Sequence, residues 1–156
     1  MKKSIIFSSA TGNTKQLAET INAEISADYC GKADDSALDS DVIFVGFWAK
    51  GFSCDDGIAE FLKKIQGKKV FLFGTAGYDD TEEYFNKVLG AAKEHLSDSN
   101  TLVGEFMCMG KVSPQKQESL KEMGKYDGMK DNLARGISHP DQNDLDQLKA
   151  AVKKAL

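Results

Sequence analysis

A chain of 156 residues with 41% hydrophobic side chains is the length of one domain and can bury a substantial core, which excludes intrinsic disorder. Lys and Arg number 20 against 24 Asp and Glu, a formal charge of -4, so no overall basic field exists to hold a nucleic-acid backbone and nucleic acid is not expected as a partner. The cysteines, Cys30, Cys54 and Cys108, are odd in number and far apart, without disulfide-framework or metal-site spacing, which fits a reducing cytoplasm.

Lys3 to Phe7 reads as a short buried strand closed by Ser8 and Ser9; its apolar run is too short for a secretory leader. Leu17, Ala18, Ile21 and Ile25 then recur at helical spacing between Thr14 and Ala27, and Ala27 to Lys32 is a weak strand candidate. Val42 to Phe47 is a continuous apolar run, followed by Ile58, Phe61, Leu62 and Ile65 on one helical face before Gly67. Lys69 to Phe73 gives the next strand, and Tyr84, Phe85, Val88, Leu89, Ala92 and Leu96 mark the next helix. Thr101 to Met107 is a further strand, and Leu145, Leu148, Val152 and Ala155 line a C-terminal helix. Between them, Gly110 to Asn143 reads as a long excursion with at best a short helix around Gln115 to Met123. Strands without alternating polarity, separated by amphipathic helices, predict a doubly wound α/β fold around a parallel sheet. No stretch approaches membrane-spanning length, so no membrane partner is expected.

Ser8-Ser9-Ala10-Thr11-Gly12-Asn13-Thr14 lies where the first strand hands over to the first helix, and open α/β sheets bind ligands outside the carboxyl ends of their strands. Its small residues let backbone N–H groups approach an anion, Ser9, Thr11 and Thr14 add hydroxyls, and the following helix points its positive end there. The loop lacks the second glycine and the lysine of a nucleotide P-loop; Gly104 to Gly110-Lys111 has the wrong spacing and Val112 in place of Ser or Thr. The dinucleotide G-x-G-x-x-G is absent as well, which disfavours ATP, GTP and dinucleotides. On chemistry alone, such a loop is equally an ordinary turn and helix cap.

Ser9-x-Thr11-Gly12-Asn13-Thr14 closely resembles the phosphate-binding loop of the flavodoxins, and the likeness extends over the whole chain. That resemblance implies a single domain with a five-stranded parallel sheet in the order 2-1-3-4-5 and non-covalent FMN as cofactor, its phosphate held by Ser9, Ala10, Thr11, Gly12, Asn13 and Thr14. Ala10 stands where many relatives carry Thr, which leaves only its backbone N–H. In the family, the loop after strand three flanks the isoalloxazine ring; here it carries Phe47, Trp48, Ala49, Lys50 and Gly51. Lys50 occupies the place of one branch's stacking aromatic, so either Trp48 stacks instead or that face is left more open, and Gly51 or Ala49 would permit the peptide flip beside ring N5. The loop after strand four, with Thr75, Ala76, Gly77 and Tyr78, would cover the other side of the ring and donate N–H groups to its pyrimidine edge.

Asp79, Asp80, Glu82 and Glu83 crowd the expected ring site. One carboxylate about 8 Å from an anionic reduced flavin would cost roughly 2 kcal/mol at an effective dielectric near 20, and about 2.3 kcal/mol corresponds to 100 mV. The acids therefore predict a low-potential carrier with an acidic rim for redox protein partners, a reductase and an acceptor; the alternative is a solvated helix start whose dipole alone favours acids. His95 has no acid or cysteine at metal-ligand spacing, and His139-Pro140-Asp141 resembles the entry to the last helix of related domains and reads as structural. No protein nucleophile or metal site is expected, and any catalytic power belongs to the flavin. The alternatives are an FMN reductase of a quinone, tetrapyrrole or other small molecule, with the excursion as a substrate lid, and an interaction module that has lost FMN.

Overall fold

The computed structural model describes residues Met1–Leu156. Strands β1 (Lys3–Phe7), β2 (Tyr29–Gly31), β3 (Val42–Trp48), β4 (Lys69–Ala76) and β5 (Thr101–Met109) pair in parallel in the order β2-β1-β3-β4-β5. Helices α1 (Asn13–Ile25), α2 (Asp56–Lys64), α3 (Glu82–Lys93) and α6 (Gln142–Ala155) cover the sheet, and a short 3-10 turn spans Asp35–Asp39.

Strand parity divides the core. Ile43, Val45 and Phe47 of β3 turn to the face covered by Ile58, Phe61 and Leu62 of α2 and Val88, Leu89 and Ala92 of α3. Their neighbours Val42 and Phe44 turn to the opposite face, against Leu17 and Ile21 of α1 and Leu148 and Val152 of α6. Both faces are buried, which is why the strands read as continuous apolar runs. Phe44 and Phe71 pack at a ring-centroid distance of 5.2 Å near the middle of the sheet, where a Phe→Ala change typically costs about 3–5 kcal/mol.

Two features depart from the prediction. β4 continues through Gly74, Thr75 and Ala76, which the small residues had suggested were loop, because their backbone stays paired with Phe47, Trp48 and the end of β5. In the segment from 110 to 143, α4 (Pro114–Glu122) lies where the short helix was expected, whereas α5 (Tyr126–Gly136) is a second helix in what read as irregular excursion. Ser113 caps α4 by accepting a hydrogen bond from the Lys116 amide at 3.1 Å, with Pro114 in the first turn. Both helices sit at the carboxyl end of the sheet, where the loops after β1, β3 and β4 converge.

Candidate functional site: a cavity at the carboxyl edge of the sheet

The N-terminus of α1 is built to remain open. Side chains of Asp55, Thr81, Ser113 and Asp141 cap α2, α3, α4 and α6, whereas α1, starting from Gly12, and α5, starting from Lys125, have no side-chain cap. Gly12 has φ 93, a left-handed conformation that glycine adopts without strain. Ser9 Oγ accepts hydrogen bonds from the Gly12 and Lys15 amides at 3.1 and 3.3 Å, leaving the first helical N–H groups, those of Asn13 and Thr14, as free donors. The Asn13 side-chain amide donates to Thr11 Oγ1 at 3.1 Å and to the Lys111 carbonyl at 2.8 Å, fixing the loop from behind. Thr14 is almost fully buried, its hydroxyl hydrogen-bonded to the Phe47 carbonyl at 3.2 Å and Thr75 Oγ1 at 3.0 Å.

The two ring-side loops flank this terminus. Trp48 and Tyr78 are half-buried, the first ending β3 and the second following β4. Gly51 turns its loop at φ 65, and the Tyr84 hydroxyl donates to the Gly51 carbonyl at 2.7 Å while the Tyr84 ring meets Phe52 edge-on. The peptide next to Gly51 is thus held by α3 through one exchangeable hydrogen bond. On the other side, Asn132 of α5 donates to the Tyr78 carbonyl at 2.7 Å, and Arg135 forks onto Asp80 at 3.0 and 3.1 Å.

Together these segments enclose a cavity of about 340 Å³, within the range of roughly 300–1,000 Å³ usual for small-molecule sites. Of the residues predicted from sequence, Ser9, Ala10, Thr11, Asn13, Thr14, Trp48, Ala49, Lys50, Gly51, Thr75, Gly77 and Tyr78 line it; Gly12, Phe47 and Ala76 do not. Phe47 is a correction to the ring-contact assignment: strand parity sends its side chain, fully buried, into the core beneath α2 and α3. Ala76 is likewise a buried end of β4, and its carbonyl accepts from the Gly110 amide at 2.9 Å. Gly12 acts through its backbone as the helix start.

The sequence did not point to Lys111, Val112, Ser113 and Lys116, which form the remaining wall. Ser113 and Pro114 open α4, but nothing local in the sequence tells which way that start faces. No carboxylate lines the cavity; Asp79, Asp80, Glu82 and Glu83 follow Tyr78 in the chain, outside the lining. Asp80 is paired with Arg135, whose guanidinium holds the carboxyl below its ordinary range, and Glu83 lies 3.6 Å from Lys87. Cys54 sits just before α2, yet burial pushes its thiol pKa up, so it is not an activated nucleophile.

An uncapped helix end for a phosphate, an aromatic on each ring-side loop and a lining free of acids suit a planar, phosphorylated ligand. The flavodoxin domain family matches residues 4–153, and the chain belongs to the flavodoxin family. The flavodoxin-like domain-containing protein BilS of Clostridium symbiosum is 31% identical over 173 residues, covering 93% of this chain and 90% of its own. Flavodoxin 1 of Escherichia coli is also 31% identical, over 119 residues and 68% of each chain. Oxidised flavodoxin 2 from Bacillus cereus superimposes with a TM-score of 0.66 at 19% identity, covering 99% of this chain and 97% of that one. Membership brings FMN as the cofactor, and the open α1 terminus and paired aromatics fit its phosphate and its ring.

Proposed function

We propose that this protein is an electron carrier that uses bound FMN to pass electrons from a reductase to an acceptor protein. The observation that carries this reading is the composition of the cavity wall: it contains no carboxylate, histidine or thiol. The serines, threonines and lysines of the wall have no carboxylate or histidine among them to activate a nucleophile or relay a proton. FMN supplies the redox chemistry, while Trp48 and Tyr78 shield it, the loop around Gly51 adjusts beside it and the α1 terminus anchors it. Asp79, Glu82 and Glu83, outside the cavity at the start of α3, offer the acidic docking surface for a basic face on each partner. Pairing of Asp80 with Arg135 moderates the lowering of potential expected from the acids.

The wall formed by Lys111 to Ser113 and Lys116 favours one alternative, reduction of a small molecule admitted under α4. Stepwise reduction of the purified holoprotein, followed by absorbance, combined with an assay of NAD(P)H oxidation, separates the two. The carrier reading expects flavin bleaching in resolvable one-electron steps and no NAD(P)H consumption with a soluble quinone until a reductase is added. Sustained turnover without a reductase would overturn it.

A further inference from the structure

We infer that Lys111 and Lys116 form a cationic wall that recognises the FMN phosphate, so that α4 supplies charge which the phosphate loop lacks. This rests on FMN being the ligand. The loop is poorly provided with hydroxyl donors. Ala10 has none, the Thr14 hydroxyl is buried against Phe47 and Thr75, and the Asn13 amide is already committed to Thr11 and Lys111. Ser9, Thr11 and the first N–H groups of α1 are left to meet a phosphate monoester that carries about -1.5 to -2 charges at neutral pH.

The cavity wall contains three cations, Lys50, Lys111 and Lys116, and no anion. Lys50 lies 3.7 Å from Asp56, whereas Lys111 and Lys116 have no acidic partner within 4.0 Å. Lys111 is fastened beside the loop, its carbonyl accepting from Asn13 at 2.8 Å and its amide donating to the His139 carbonyl at 3.1 Å. Lys116 sits in the first turn of α4, which carries no acid. A cation there is disfavoured by the helix dipole, and a residue that conflicts with its local setting points to a role beyond that helix. An anion held between α1 and α4 removes the conflict.

Fluorescence titration of flavin-free protein with FMN and with riboflavin tests the assignment. Lys111→Gln with Lys116→Gln is expected to weaken FMN binding by about tenfold or more, as loss of charge-assisted contacts requires, and to leave riboflavin affinity unchanged. The salt dependence of FMN affinity should become shallower in the same variant. Lys125→Gln with Lys130→Gln removes equal charge from exposed positions outside the cavity and should leave FMN affinity nearly intact. Unchanged FMN affinity and salt dependence in the Lys111/Lys116 variant, or equal weakening of FMN and riboflavin, would overturn the inference. A wild-type protein that takes up neither flavin would overturn the FMN assignment on which it rests.

Discussion

The Thr14 hydroxyl sits where α1, β3 and β4 meet, bonded to the Phe47 carbonyl and to Thr75 Oγ1. It fixes the open end of α1 to the two central strands, and the phosphate can draw on the Thr14 backbone N–H. Thr14→Ala would strand two buried partners, a loss of about 1–3 kcal/mol for groups left without hydrogen bonds. Urea unfolding of the flavin-free variant should show that loss; an unaltered midpoint would mean that the hydroxyl holds nothing together. Thr11, one turn earlier and exposed, provides the contrast. Thr11→Ala should leave flavin-free stability within about 0.5 kcal/mol, as expected of a surface change. Its FMN affinity should nevertheless fall, measurable by the same fluorescence titration. Equal stability losses in the two variants would remove the distinction between a strut and a ligand contact.

At the scale of elements, α5 acts as a clamp on the loop after β4. Arg135 holds Asp80 through two hydrogen bonds while Asn132 holds the Tyr78 carbonyl, so one helix fixes both the backbone beside a ring-side aromatic and the Asp80 carboxylate. Arg135→Ala should change stability little, because the pair is exposed to solvent. It should still weaken FMN binding several-fold and lower the reduction potential as the Asp80 charge is unmasked. Potentiometric titration checks the sign, and a raised potential would refute the electrostatic part. Asp80→Asn should restore most of the potential in the Arg135→Ala background. The clamp was hidden in the sequence for a physical reason. Strands such as Val42–Trp48 are buried along most of their length and α1 buries a complete face, so their periodicity is strong. By contrast α4 buries only Leu120, and α5 only Leu133 and Gly136. Helices held by polar contacts to loops carry almost no apolar repeat, and Gly128 further weakens the helical reading of α5. The phosphate loop was legible because its function depends on local backbone chemistry. Lys111 and Lys116 were not, because their place in the site depends on how distant elements pack.

At the scale of the whole molecule, charge is sorted by location: the cavity wall is cationic, and unpaired acids lie outside it near the start of α3. The same sorting sets how stability depends on pH. Asp34, Asp39, Asp80 and Asp141 are held below the ordinary carboxyl value of 3.8 by hydrogen bonds and basic neighbours. Their contribution is present above 3.8 and is lost as pH falls through their lowered values. His139 has the opposite sign. Its ring nitrogen lies 2.6 Å from Asp144 and 3.7 Å from Asp141, and with Asp80 these acids raise its pKa above 6.5. The stabilisation is complete below 6.5 and disappears as pH rises through the raised value. His139 also joins distant parts of the fold: its carbonyl accepts from Lys111, its amide donates to the Gly136 carbonyl, and its ring reaches the first turn of α6. Stability should therefore be greatest between 3.8 and 6.5. On the alkaline side His139→Gln should lose the decline while keeping the acid limb. Urea midpoints measured across both limbs decide the matter, since an alkaline decline that persists in His139→Gln would assign it to another group.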